Sequence, residues 1–360
     1  MKRLLDPHSL AALARGCAVL GAGGGGDPYL GLLQALQATE DFGPVPLVDL
    51  DELPGDALIM PCGGIGAPTV SVEKIENGDE GGRLREHLEF LTGRRVVALM
   101  AAEIGGSNGL LPITWAAHMG LPVADADGMG RAFPEVPQVT MHLAGIPPSP
   151  AVMTDERGNL VIFQTISGHW MERLERAAAV EFGGAASSTE FSLTAAQARE
   201  ATVRNSVSLA IRIGEAVSRA EGSPVDALIA AVGAFRLVTG KVLDVERRTT
   251  SGFARGSVVI EGLGADAGRL IRLELQNENL VALERGRVLA SVPDLISVLD
   301  SETADAIVTE RVAYGQRVTV IAFACDPVWR TEKGIMLTGP RAFGYDFDYL
   351  PVEELARASA

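Results

Sequence analysis

The first half of the chain repeats one pattern. A short apolar run gives way to a glycine-rich turn and then to apolar residues at helical spacing, as strands feeding helices in an open α/β sheet do. The pattern predicts strands at Pro46–Leu50, Ala57–Pro61, Arg95–Ala101 and Pro122–Ala126, and helices at Pro28–Ala38, Arg83–Leu91 and Pro112–Met119. Thr194 with Gln197 reads as a capping box. The helix it opens is expected to carry a buried stripe of Val203, Val207, Ala210, Gly214 and Val217. Ser223 before Pro224 starts another helix. From about Gly240 the texture changes to short alternating segments, among them Ser257–Glu261, Leu270–Leu275 and Arg317–Ala324. The expected fold is therefore α/β, with a mostly parallel sheet and helices in residues 1–240 and a smaller β-rich C-terminal domain in residues 241–360.

Composition narrows the partners. The 360 residues are 47% hydrophobic and 21% charged, ordinary values for a folded protein, and 360 residues exceed what one core usually serves. The net charge of −15, without a basic run interleaved with aromatics, argues against nucleic acid. No apolar stretch is long enough to span a bilayer, and Asp6, His8 and Ser9 interrupt the N-terminal segment, so the expectation is a cytoplasmic protein without a membrane partner. The apolar share suits a homo-oligomer. Three scattered cysteines, Cys17, Cys62 and Cys325, read as free thiols; Cys62 beside a glycine turn reads as a small strand-end residue rather than a nucleophile.

Four segments stand out as chemistry. The first, Gly21–Pro28, places Gly23, Gly24, Gly25 and Gly26 before Asp27, which is positioned to cap a helix. Such a run either makes a tight turn that lets a helix pack closely, or admits a ligand to the backbone amides. It lacks the lysine and hydroxyl residue of a P-loop and a ribose-binding acid. The second, Gly63–Val70, includes Gly66 and leads to Glu73 and Lys74. The third, Glu103–Gly109, contains Asn108, and the fourth, Asp125–Arg131, carries Asp125 and Asp127 with His142 downstream. Since the carboxyl ends of parallel strands face one side of a sheet, the loops after successive strands are expected to converge on one crevice. Asp125 and Asp127, two apart in an extended segment, read as turn caps, as an acid pair with one raised pKa, or, with His142, as candidate ligands of a divalent metal ion. His8, His87, His118 and His169 show no ligand spacing and read as surface or structural residues.

Taken together, GAGGGGDP, GGIGAPTVSVEK, EIGGSNGLLPITWAAHMGLPVADADGMGRAFPE, LELQNENL, PDLI and GPRAFGYD resemble, over nearly the whole chain, the S-methyl thiohydantoin desulfurase-like family, associated with hydantoinase and oxoprolinase-type proteins. The resemblance implies hydrolysis of a small hydantoin-like ring substrate with release of methanethiol. That reaction needs an activated water and stabilisation of charge on ring nitrogen or sulfur. The expected roles are Asp125 or Asp127 as general base with Glu103 as the alternative, and Lys74, Arg131 and loop amides as charge stabilisers. Gly24, Gly25, Gly26, Asp27, Gly66, Glu73 and Asn108 are expected to contact substrate. The competing readings are an ATP-dependent hydantoinase-type subunit and a noncatalytic heterocycle-binding protein.

Overall fold

The computed structural model describes residues 3–66, 70, 74–250 and 253–358. The first half begins β1 (Arg3–Leu5), α1 (Pro7–Leu20), α2 (Pro28–Phe42), β2 (Val45–Val48), β3 (Leu58–Gly66), α3 (Glu80–Thr92), β4 (Val96–Ala101), α4 (Leu111–Met119) and β5 (Val123–Asp127). It continues through α5 (Thr140–Leu143), β6 (Ala151–Thr154), β7 (Leu160–Phe163), α6 (Gly168–Glu181), β8 (Ala185–Thr189), β9 (Leu193–Thr194), α7 (Ala195–Ala201), β10 (Val203–Arg204), α8 (Ser206–Ser218) and α9 (Pro224–Val232). Within it β2, β5, β4 and β3 lie side by side and parallel. Their residues Ile59, Met60, Ala98, Leu99, Val123 and Ala124 are buried, as strands covered by helices on both faces require.

The sheet is mixed rather than simply parallel. The segment Gly63–Gly66, expected as a loop, continues β3 and pairs antiparallel with β8, from Gly63 opposite Ser188 to Gly66 opposite Ala185. β8 then pairs with β6, and β6 with β7, both antiparallel. One long strand therefore belongs to the parallel sheet at its start and to an antiparallel extension at its end. The helix expected to run from Thr194 into the Val203–Val217 stripe is likewise two helices. The Thr194–Gln197 capping box forms, but the helix ends at Ala201. Val203 and Arg204 pair with β5, and Asn205 turns the chain at φ 60° before α8 starts. α8 packs against α1 with glycine at both crossing points: a methyl on Gly16 would meet the Ala210 carbonyl oxygen at 1.9 Å, and one on Gly214 the Ala12 oxygen at 1.9 Å.

The C-terminal part is a separate antiparallel sheet built from β11 (Phe235–Thr250), β12 (Phe253–Gly262), β13 (Leu270–Gln276), β14 (Glu278–Glu284), β15 (Arg287–Ser291), β16 (Leu295–Asp300) and β17 (Arg317–Phe323), in the order β15-β14-β13-β12-β11-β17-β16. Its inward residues Val238, Val258, Ile260, Ile271, Leu273, Val298 and Val320 form a second core. Two short helices, α10 (Glu332–Thr338) and α11 (Val352–Arg357), follow. The two sheets are joined by buried polar contacts: Ser297 Oγ donates to the Val19 carbonyl (2.8 Å), and Trp329 Nε1 donates to the Met129 carbonyl (2.7 Å). Among the described residues no helix is long and apolar enough to cross a membrane.

Candidate functional site

A cavity of about 490 Å³ lies at the carboxyl ends of β3 and β4. That size falls within the roughly 300–1,000 Å³ range of small-molecule pockets. Gly25, Gly26 and Asp27 reach it from the first glycine segment, Gly63–Gly66 from the end of β3, and Glu103, Ser107 and Asn108 from the segment after β4. Met129 and Phe133 come from beyond β5, Ser187, Ser188 and Glu190 from β8 and just after it, and Asn277 and Glu278 from the C-terminal sheet.

The glycine run holds these parts together. The Ala22 carbonyl accepts from Asn279 N (2.8 Å) and Asn279 Nδ2 (2.9 Å), the Gly23 carbonyl from Thr309 N (2.8 Å), and the Gly25 carbonyl from Ser107 N (2.8 Å). Gly24 packs on the Glu278 carboxyl so closely that a methyl there would lie 2.0 Å from Oε1. Gly25 and Gly106, at φ 73° and 67°, lie against each other's backbone. The tight-packing role of the run is thus filled, and Gly25 and Gly26 also present backbone to the cavity. Asp27 caps α2 by accepting from Tyr29 N (2.9 Å) and pairs with Arg311.

Glu103 is buried on the cavity wall. Asn108 Nδ2 donates to its Oε1, while Asn108 Oδ1 accepts from Gly64 N (3.0 Å), so Asn108 ties the two segments together. Burial pushes the Glu103 carboxyl up to about 8, against the opposing donation from Asn108. Glu278, only 2% exposed, is held well above its ordinary value by burial and by Glu103, with Arg131 pulling the other way. Glu76, which accepts from Ser187 Oγ (2.5 Å), is raised to about 7 by burial. Glu190 is also raised, to about 7, by burial first and by like charge on Glu172, against a hydrogen bond from Ser188; Glu175 on α6 is raised well above its ordinary value by burial and then by Glu190. One oxygen each of Glu103, Glu190 and Glu278 is buried without a hydrogen-bond partner.

The other predicted residues divide. Lys74 lines the cavity, with its Nζ donating to the carbonyls of Phe182 and Ala185 and pairing with Glu156 at 2.9 Å. Gly66 and Asn108 line it too. Glu73 lies outside the described residues. Asp125 and Asp127 are not on the cavity wall, and they do not act as a pair. Asp125 accepts from Ser208 N (2.9 Å) and Ser208 Oγ, holding α8. Asp127 Oδ2 accepts from Ile104 N (2.9 Å), Met129 N (2.9 Å) and Gly130 N (2.7 Å), fastening the segments after β4 and β5 to each other; burial raises its carboxyl to about 6.

Arg131 is fully buried behind the wall. Its guanidinium donates to the carbonyls of Ala132 (2.8 Å), Pro293 (2.8 Å) and Asp294 (2.9 Å), and lies 4.6 Å over the Phe133 ring. His142 stands away from the two aspartates, with its ring 6.3 Å from that of His169, and burial lowers its pKa. Among the described residues no three His, Cys, Asp or Glu side chains are grouped to hold a metal ion. Cys17, Cys62 and Cys325 are buried free thiols, and Cys62 is raised well above its ordinary range by burial.

The sequence reading missed Glu76, Glu190 and Glu278. The available signal for Glu278 was Gln276-Asn277-Glu278-Asn279, four polar residues in a row inside an apolar strand pattern, all buried.

Family models match residues 8–352 of the chain: "S-Me-THD-like, N-terminal domain" over residues 8–165 and "S-Me-THD-like, C-terminal domain" over residues 166–352. A crystal structure of a protein from Chromobacterium violaceum is similar at a TM-score of 0.82 and 24% identity, covering 97% of this chain and 100% of that one, a likeness of fold. No curated protein matches.

Proposed function

The chain belongs to the S-Me-THD-like family, and from that premise we propose that it hydrolyses the carbon–sulfur bond of a small S-methyl thiohydantoin, releasing methanethiol and leaving a hydantoin. The observation that carries this reading is the cavity itself, where glycine segments at the ends of parallel strands meet carboxyls whose affinities for protons lie near neutrality.

The reacting carbon lies between two ring nitrogens and bears the S-methyl group. Water adds to it, the ring C=N becomes C–N–H, and collapse of the adduct restores a carbonyl while breaking the C–S bond. One water proton ends on the ring nitrogen and the other on the departing sulfur. Glu76, near half-ionised at neutral pH, is matched to accepting the proton of the attacking water. Glu103, mostly protonated there, is matched to donating to nitrogen or sulfur, with Glu278 beside it. Asn108 orients Glu103, and Gly25, Gly26 and Gly64 let the flat ring approach the backbone closely. The roles earlier assigned to Asp125 and Asp127 pass to these glutamates. We place the protein in the cytoplasm as a homo-oligomer with two structural parts, expected as residues 1–240 and 241–360, the second taking in all of β11 from Phe235; both contribute to the cavity.

The test is thiol release. Purified protein would be incubated with S-methyl thiohydantoins and with plain hydantoins, each with and without chelator and ATP. Methanethiol formation that needs neither addition supports the reading. Absence of thiol under every condition, with hydantoin opening that depends on ATP, would replace it with the ATP-dependent assignment.

A further inference from the structure

Among the described residues the outer face of α6 is left uncovered. The helix buries Met171, Glu175 and Ala179 on its inner side, while Trp170, Leu174, Ala177 and Val180 are exposed, Val180 by 61%. These four recur at spacings of four, three and three residues, the stripe by which one helix packs on another. β7, the last strand of its sheet, lies beside α6, and Ile162 on it and Ile166 after it widen the apolar surface, Ile166 being 90% exposed. Two charged residues border the stripe. Arg173 holds its guanidinium 4.6 Å from the centre of the Trp170 ring, and Glu181 closes the helix, where the dipole disfavours an acid and no basic residue in the last turn offsets it. Both are exposed, and among the described residues neither has an ion-pair partner.

About Ala177 this face is its own complement. Three residues back and three on are Leu174 and Val180; four back and four on are Arg173 and Glu181. A second α6 laid antiparallel on the first, with Ala177 at the two-fold axis, brings Arg173 and Leu174 level with the partner's Val180 and the partner's Glu181, and the same contact repeats at the other end. The small Ala177 side chain lets the two helices approach closely at their crossing. A parallel pair would instead set each charge against its own kind. We propose that the outer face of α6 is the contact between two copies of this chain, paired antiparallel, with Arg173 joined to the partner's Glu181. This rests on the homo-oligomer placed above and names its contact; the reaction assigned to the cavity does not enter. The same helix turns Arg176 to the cavity and buries Glu175 near Glu190, so the second copy braces the cavity wall from behind.

Charge reversal decides it. Sedimentation velocity of the full chain over a dilution series should show the wild type as a dimer or an even multiple of one. Arg173→Glu alone, or Glu181→Arg alone, sets like charges together at both ends of the contact. Each should raise the dissociation constant about tenfold or more and halve the mass where the wild type is assembled. The chain carrying both reversals has opposite charges across the contact again and should recover the wild-type mass. Ala177→Cys gives a separate reading. Cys17, Cys62 and Cys325 are buried, so a short bis-maleimide should join two copies through position 177, and should fail to do so once Arg173→Glu is added. A wild type that stays monomeric at every concentration would overturn the homo-oligomer and this contact together. An assembly whose mass neither single reversal changes keeps the homo-oligomer and overturns the contact. Single reversals that dissociate it without rescue in the double reversal would overturn the antiparallel pairing.

Discussion

Replacing Glu103 with glutamine separates what this carboxyl does for chemistry from what it costs the fold. The folded protein holds the Glu103 proton up to about pH 8, whereas an unfolded chain releases it near the ordinary 4.5. Stability is therefore fully present below about pH 4.5 and is lost as pH rises towards 8. The whole difference is roughly 5 kcal/mol, and roughly 3–4 kcal/mol of it falls between pH 5 and pH 8. Glutamine cannot ionise, keeps nearly the same volume and retains an oxygen to accept from Asn108 Nδ2. Glu103→Gln should therefore gain on the wild type as pH rises. Urea unfolding at half-unit steps from pH 5 to 8.5 should show the two free-energy curves diverging by a few kcal/mol, while methanethiol release falls about 100-fold to 10,000-fold. Parallel curves would show that Glu103 ionises as an ordinary carboxyl, and the argument for it as the proton donor would fall with them.

Other substitutions test the frame around it. Gly24→Ala puts a methyl 2.0 Å from Glu278 Oε1, so it should cost about 1–3 kcal/mol in denaturant unfolding and reduce turnover by displacing that carboxyl; a variant that keeps both would show the contact to be slack. Asp125→Asn should leave turnover nearly normal, because asparagine can still accept from Ser208, while Asp127→Asn should mainly lower the melting temperature by weakening three backbone contacts. A 100-fold activity loss at unchanged melting temperature in either aspartate variant would return it to the catalytic role first expected of it. Arg131→Leu removes the donor to Pro293 and Asp294 and the cation nearest Glu278, and should cost about 3–5 kcal/mol; a neutral result in thermal unfolding would remove Arg131 from the joint between the sheets.

Where the fold was legible, one physical signal sufficed. β3, β4 and β5 are largely apolar runs leading into glycine-rich segments, and helices followed where Asp27, Thr194 and Ser223 stood ready to cap. The signal failed where pairing rather than propensity decides. Gly63–Gly66 and the small polar run Ala185–Thr189 look like loops, and become strands because each supplies the other's ladder hydrogen bonds. Thr202 to Asn205 look helical within their stripe, but Val203 is claimed by the edge of β5. The candidate site divides along the same line. Its glycines, Glu103, Lys74 and Asn108 sit in segments that advertise themselves locally. Glu190 and Glu278 come from far along the chain, and only the packing of Gly24 on Glu278 and of β8 on β3 brings them to the same wall. The two aspartates misled because spacing in an extended strand ends with the strand: Asp127 is the last residue of β5, and its carboxylate turns to the backbone of the following turn.

The four glycines and the row of buried acids explain each other. A carboxyl held in an apolar interior is expensive, so it persists only where the surrounding backbone is fixed by other means. Here the carbonyls of Ala22, Gly23 and Gly25 are spent on Asn279, Thr309 and Ser107, locking the first glycine segment to the C-terminal sheet and to the segment after β4. Side chains in that segment would push Glu278 and Gly105 away, so glycine is what allows the three strands of backbone to close around the acids. Neither half of the chain can then make the cavity alone. The parallel strands deliver Glu103, the antiparallel sheet delivers Glu278, and Arg131, with its donors on Pro293 and Asp294, sets the charge between them. A cut near Gly233, between α9 and β11, that leaves the two parts associated should therefore preserve methanethiol release. Parts that separate should each lose it, and a lone N-terminal half with full activity would show that Glu278 has no share in the site.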